Sequence, residues 1–394
     1  MDEIRTAVVG LGHRALHWIR LLQSLPGYRI TALCDPIAAL LEPARASLKD
    51  AAGVLATTEY EEVLASGEVD AVALCVRCRE QGALAAMALE AGKHVNSEVP
   101  AAHTMEDCWR IVLASERSGL VYQLGEQTRY WGFVDAWRQL VEEGQLGRVT
   151  YCEGQYIGYY GTRLFFQDTE TGRSCEVEEL KDFPNAQPTW LHDMPPIHYL
   201  PHELSPMLKV LDDRVVSVTA MSTGSPSYSH PEIASPDIQV ALMKTEKDAI
   251  LRMAAGFTQP VPHGRGHHWY HVMGTEGSVE WSRSGRDRPK MWRAGMQMHD
   301  VAEVDWRFER EDAPAEAQAS GHGGADYYVH ATFRDAVLGT ADLPFDVYGA
   351  MDTAAPAILA AESIARGTEL MAVPDFRPGP TRRPGEEPTE GAAP

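Results

Sequence analysis

The chain has 394 residues, 44% of them hydrophobic, which is enough to bury a large core and to form two domains rather than one. Its formal net charge of −21 is spread along the sequence as a solvated acidic surface, which argues against nucleic acid and anionic membranes as partners. No run of about 18 apolar residues occurs, so no transmembrane span is expected, and Met1 to Arg5 lead straight into the apolar Thr6-Ala7-Val8-Val9 with no room for a leader, so the expected location is the cytoplasm.

In chain order, Thr6–Val9 reads as a strand, Ala15–Ser24 as a helix, Arg29–Cys34 as a second strand, Ala71–Val76 as a third and His94–Asn96 as a short fourth. Residues 36–50 and 80–91 carry helical periodicity between them, and Thr104 with Asp107 opens a helix running to Ser118. This alternation predicts an α/β fold that begins with a doubly wound parallel sheet. From Phe133 the pattern is a helix ended by Gly144, then strands at Val149–Tyr160, Val215–Met221, Asp237–Met243, Ala249–Ala255 and His271–Trp281, as expected of an open, largely antiparallel sheet. The stretch 161–196 is too long for a simple connection and reads as a binding loop. Tyr327–Leu338 and Tyr348–Arg366 are the last helices. Residues 377–394, rich in Pro, Gly and Glu, read as a disordered tail, so the expected division is 1–124, 125–376 and 377–394.

The first strand runs into Gly10-Leu11-Gly12-His13-Arg14-Ala15, the G-x-G-x-x-A form of a dinucleotide loop. Gly10 permits the tight turn, Gly12 lets backbone approach a pyrophosphate, and the N-terminus of the following helix, at His13 and Arg14, attracts its charge. The second strand ends at Asp35, about twenty residues on, where a carboxylate accepts hydrogen bonds from ribose hydroxyls and repels a 2′-phosphate. The expected cofactor is therefore NAD, not NADP.

The segment Glu90-Ala91-Gly92-Lys93-His94-Val95-Asn96-Ser97-Glu98-Val99-Pro100 resembles the aGkHV-x-x-EKP signature of the Gfo/Idh/MocA oxidoreductases. That family joins a Rossmann domain to an α/β domain whose open sheet often mediates oligomers, so the resemblance implies a homo-oligomer, a dimer or tetramer. Where the family's dehydrogenases have the lysine of EKP, this chain has Val99, and their later G-x-H-x-x-D survives only as His202, with His198 and Ser205 where two carboxylates often stand. The T-P-x-x-x-H stretch has become Val76-Arg77-Cys78-Arg79-Glu80-Gln81. A closer resemblance is to the branch of NAD-dependent glycosidases related to α-N-acetylgalactosaminidase. It rests on Glu98-Val99-Pro100-Ala101-Ala102, on Tyr199-Leu200-Pro201-His202 with Pro206, and on Gly321-His322-Gly323-Gly324 ahead of Asp326. Glu126-Gln127 stands where that branch has Glu-Asn near the nicotinamide, and Tyr156-Ile157-Gly158 resembles its Tyr-Ile-His substrate motif with Gly in place of His. The resemblance implies that Val76, Gln81, Glu98, Val99 and Gln127 border the cofactor together with Gly10, Gly12, His13, Arg14 and Asp35.

The implied reaction is a redox-neutral glycoside hydrolysis: transient oxidation of a ring carbon, loss of the neighbouring proton, elimination of the anomeric substituent, addition of water and re-reduction. It needs acid–base groups, for which His202 and Tyr199 are the candidates, since a histidine titrates near neutrality. The alternative readings are a net dehydrogenase that forms a 3-keto sugar, and a sensor that has lost catalysis. Tyr156, Trp190 and His198 are candidate substrate contacts, as are Arg129 and Arg163 for an anionic group. The six cysteines show no disulfide framework. Cys75 and Cys78 lack a second pair, and the His267-His268-Trp269-Tyr270-His271 cluster has no H-E-x-x-H pattern, so no metal site is expected.

Overall fold

A computed structural model describes residues 2–159, 161–259, 267–295, 301–380 and 382–387. The N-terminal part contains β1 (Ile4–Val9), α1 (His13–Leu22), β2 (Tyr28–Cys34), α2 (Leu41–Ala46), β3 (Leu55–Thr57), α3 (Tyr60–Ala65), β4 (Ala71–Leu74), α4 (Cys78–Glu90), β5 (His94–Ser97), α5 (Met105–Ser118) and β6 (Tyr122–Leu124). The strands form one parallel sheet in the order β3-β2-β1-β4-β5-β6, the doubly wound arrangement the sequence predicts. Its strands are buried on both faces, which is why they read as continuous apolar runs. The helix signals are physical caps. Thr104 accepts a 3.1 Å hydrogen bond from the Asp107 amide at the start of α5, and Gly119 closes it in the left-handed conformation.

The C-terminal part contains α6 (Gly132–Glu142), β7 (Val149–Ile157), β8 (Phe166–Asp168), β9 (Ser174–Cys175), β10 (Ala186–Pro188), α7 (Trp190–Asp193), α8 (Pro201–Leu211), β11 (Val215–Ser222), β12 (Gln239–Thr245) and β13 (Ile250–Gly256). It continues with β14 (His268–Gly274), β15 (Gly277–Glu280), β16 (Lys290–Arg293), β17 (Ala302–Glu303), α9 (Ala315–Gln318), α10 (Ala325–Val337), α11 (Val347–Ala365) and β18 (Met371–Ala372). Nine of these strands form a mixed sheet, β17-β16-β15-β14-β7-β13-β12-β11-β18, antiparallel except where β7 meets β13. The expected single strand over 271–281 is instead the hairpin β14–β15, turning at Thr275-Glu276, because a strand cannot cross a turn and stay in register. The expected loop 161–196 carries its own small sheet, β10-β8-β9, over a local core of Phe165, Phe166, Leu191 and Phe257.

Contacts cross the expected boundary at residue 124. Phe333 of α10 is buried in the cluster built by Ile4, Val8, Trp18 and Leu33, and the Tyr28 hydroxyl donates to the His330 carbonyl at 2.7 Å. Burying a phenylalanine is worth about 1.5–3 kcal/mol, so α10 belongs energetically to both parts. Beyond residue 376, where the composition predicts a disordered tail, the described residues make specific contacts. Arg382 is buried and donates to both carboxylate oxygens of Glu116 at 2.7 and 2.8 Å, and the Gly385 amide donates to the same carboxylate. Residues 388–394 lie outside the described residues.

Candidate active site

The glycine loop is built as the phosphate argument requires. Gly10 has φ +79°, and a Cβ there would sit 2.3 Å from the Cys75 carbonyl oxygen, so only glycine lets β1 turn beside β4. A Cβ on Gly12 would meet open space in front of α1, leaving backbone clear for a pyrophosphate. Asp35 is buried at the end of β2. Its Oδ2 accepts from the Leu11 amide at 2.7 Å and its Oδ1 from the Ile37 amide at 2.8 Å, so the carboxylate expected to meet the ribose also pins the loop. Burial raises its pKa above the ordinary carboxylate value, against those two hydrogen bonds. Gln127 Oε1 is buried without a hydrogen-bond partner in the protein, an acceptor with capacity for a ligand. The clear backbone, the ribose carboxylate and this acceptor together fit NAD.

The neighbouring predicted residues do more structural work than expected. Arg14 bonds Glu98 and both oxygens of Asp326, at 2.9 and 2.8 Å, and His322 lies 3.1 Å from that carboxylate. Glu98 also receives the Val99 amide. Gln81 donates its amide to the Glu98 and Pro100 carbonyls, fixing the turn after β5, while Val76 and Val99 supply apolar wall. His13 is exposed on the first turn of α1, its ring 4.7 Å from that of His17.

His202 lies in the first turn of α8 and is 3% exposed. Its Nδ1 is 3.0 and 2.9 Å from the two carboxylate oxygens of Glu126, which also accepts from the Thr128 amide and hydroxyl at 3.0 and 2.8 Å. Burial alone favours the neutral acid, but His202 and Thr128 outweigh it and hold Glu126 below the usual carboxylate range. The backbone of His202 is fixed too, since Thr128 and Tyr270 hydroxyls both donate to its carbonyl, at 2.9 and 3.0 Å. Around the ring stand Tyr199, edge-on at 4.5 Å between centroids, and Tyr156 at 5.4 Å, with Trp190 at 5.2 Å from Tyr199. The constellation is a carboxylate-oriented imidazole, with Nδ1 tied and Nε2 the ring nitrogen for proton exchange, in an aromatic enclosure.

A second such pair, not anticipated from the sequence, lies beside the first. His268 Nδ1 is 2.7 Å from Glu203 Oε1, and its ring is 4.5 Å from Tyr156 and 5.9 Å from His202. Here burial pushes Glu203 well above its ordinary pKa and His268 well below, so burial favours the neutral form of each group. The signal for this pair was available in the sequence as strand alternation. In β14, His268 and Tyr270 share one face, which brings both to the site. Among the described residues no three His, Cys, Asp or Glu side chains gather as a metal site.

Three predicted substrate contacts stand elsewhere. Arg129 is stacked 3.8 Å from the Phe345 ring and donates to Ser205 at 2.9 Å, wedged between α8 and the start of α11. His198 is buried in a parallel stack on His103 at 4.3 Å. Arg163 is exposed on the 161–196 segment. The position read as a missing histidine has a different neighbour: the imidazole of His267 lies directly over Gly158.

Residues 4–126 match the oxidoreductase family with an NAD-binding Rossmann fold, and residues 136–382 match the C-terminal domain of glycosyl hydrolase 109. A glycosyl hydrolase family 109 protein of Saccharopolyspora erythraea is 25% identical, over 97% of this chain and 85% of its own length. One from Porphyromonas gingivalis is 24% identical over 96% and 86%. An oxidoreductase of Agrobacterium radiobacter, solved with NAD+, L-tartaric acid and magnesium, shares the fold with a TM-score of 0.72 at 17% identity, over 94% of this chain and 98% of that one. Scyllo-inositol dehydrogenase of Lactobacillus casei, solved with NAD(H) and scyllo-inositol, follows at 0.67 and 16%, over 94% and 99%. The chain is an NAD-dependent enzyme of the Gfo/Idh/MocA superfamily and belongs to glycosyl hydrolase family 109.

Proposed function

We propose that this enzyme hydrolyses a glycoside by the redox-neutral route, with His202 as the acid–base residue. NAD+, when bound, supplies a reversible hydride acceptor, which makes a sugar ring carbon transiently a ketone and its neighbouring C–H acidic. The chain's own part is to move protons and hold the sugar. His202 Nε2 takes the proton from that carbon while Glu126 stabilises the imidazolium through Nδ1. The electron pair expels the anomeric oxygen, which takes a proton from solvent and leaves as the aglycone alcohol; water then adds its oxygen to the anomeric carbon and gives a proton back to solvent, while His202 returns its proton to the neighbouring carbon. Tyr199 hydrogen-bonds the reacting hydroxyl, and Tyr156 and Trp190 offer ring faces to the sugar.

The observation that carries this reading is the Glu126–His202 pair enclosed by Tyr199 and Tyr156. The similarity over nearly the whole chain to proteins named glycosyl hydrolase family 109 supports it. We further place the enzyme in the cytoplasm, which suits its six free cysteines, and as a homo-oligomer, which suits the exposed Met221, Leu242 and Met273 on the large sheet. No helix among the described residues is long and apolar enough to cross a membrane. The test is a panel of aryl glycosides with and without added NAD+. Aglycone release without accumulation of NADH is expected; NADH formed in proportion to substrate would instead make the enzyme a net dehydrogenase.

A further inference from the structure

The side chain of His267 occupies space that any other residue at 158 would need. A Cβ on Gly158 would lie 1.8 Å from His267 Nδ1, 2.6 Å from Cε1 and 2.7 Å from Cγ, so the imidazole rests against the bare backbone at the end of β7. His267 is held there by its own main chain: it takes φ +70°, and its carbonyl accepts from the Ile157 amide at 3.2 Å. For a non-glycine residue that left-handed conformation is uncommon, so the turn is held by its surroundings. The ring lies 6.2 Å from Tyr156, whose ring in turn faces His202 and His268. Gly158 is outside the left-handed region, so nothing in its backbone calls for glycine. What calls for it is the imidazole.

We infer that His267 is a specificity-determining residue of this site, supplying from the start of β14 an imidazole that hydrogen-bonds a sugar hydroxyl, and that Gly158 is its seat. The inference rests on the glycoside reading above. Nδ1 is buried against Gly158, so Nε2 is the ring nitrogen offered to a hydroxyl, as donor or acceptor according to the tautomer. Its place beside Tyr156, one ring removed from His202, puts it at the edge of the reacting sugar and not at the reacting carbon. Its effect therefore belongs to recognition.

The test is steady-state kinetics on the best aryl glycoside of the panel, in the NAD-saturated full chain, for His267→Ala, Gly158→Ala and the double variant, each with its melting temperature. Losing one such hydrogen bond should raise KM about ten-fold with kcat within about two-fold. Gly158→Ala should do the same, because its methyl expels the ring. The double variant should be no worse than either single one, since both remove the same contact, and His267→Gln should recover part of the loss. An active wild type whose His267→Ala variant keeps its KM, or singles whose effects multiply, would overturn the inference alone. A wild type that turns over no glycoside overturns the glycoside reading and this one with it.

Discussion

Arg14 and Asp326, 312 residues apart, are joined by parallel hydrogen bonds of 2.9 and 2.8 Å, which tie the first turn of α1 to the start of α10. Asp326 is 4% exposed; burial opposes its charge, but Arg14 and His322 overcome this and hold it far below the ordinary carboxylate range. Asp326→Ala leaves Arg14 with Glu98 alone. Urea unfolding should show a loss of about 2–3 kcal/mol, less than the 3–5 of a wholly unpaired buried charge, and NAD should bind more weakly. Because the folded pKa is depressed, this stabilisation is present above the unfolded pKa of about 4 and fades only as pH falls below it. Unchanged unfolding would mean that the pair contributes nothing.

Asp35→Ser should weaken NAD binding and shift preference toward NADP. The carboxylate's hydrogen bonds to ribose are worth roughly 1–3 kcal/mol, and its removal ends repulsion of a 2′-phosphate. The structure adds a second cost, since Leu11 loses its partner and the glycine loop its anchor. NAD and NADP titrations check this, and equal wild-type affinity for the two would refute the assignment.

Acid should destabilise the fold through its buried histidines. Burial lowers His198 and His330 to about 3, His198 with help from His103 and Arg79. In the unfolded chain both take up protons near 6.5, so their stabilisation is present above that pH and is lost as pH falls toward 3. Each adds a slope of about 1.4 kcal/mol per pH unit in that window. Urea midpoints measured from pH 7.5 to 4.5 should fall, and His330→Asn should flatten the decline whatever its own stability.

Removing residues 377–394 should lower the melting temperature. Glu116, 4% exposed at its side chain, would lose Arg382 and the Gly385 amide and keep the Tyr348 hydroxyl, a loss of about 1–3 kcal/mol. A shortened chain that melts with the full one would restore the tail to irrelevance.

The Rossmann half was legible because its signals are local: apolar runs, a capping threonine, two glycines and an acid at fixed spacing. The tail carries no such signal: its composition offers little apolar surface to bury, and the contact of Arg382 with Glu116 is made through space. In the site, His202 could be chosen by its motif, whereas its orientation by Glu126, 76 residues away, is tertiary. Arg129 looked like a ligand because a lone arginine resembles one; its stacking on Phe345 depends on a helix more than two hundred residues later. Gly158 read as a lost histidine, and only the antiparallel pairing of β7 with β14 places His267 above it.

The account turns on His202 as the proton-transfer group, and Glu126 sharpens the claim. Glu126→Gln keeps the contact but offers an amide N–H as well as a carbonyl, which frees Nδ1 to accept and leaves Nε2 protonated, unable to serve as a base. The decisive measurement is kcat for His202→Ala on the best aryl glycoside at saturating NAD+, with NAD affinity and melting temperature measured alongside. The account predicts a fall of roughly 10²–10⁴-fold with NAD affinity nearly unchanged. A kcat close to wild type would contradict it.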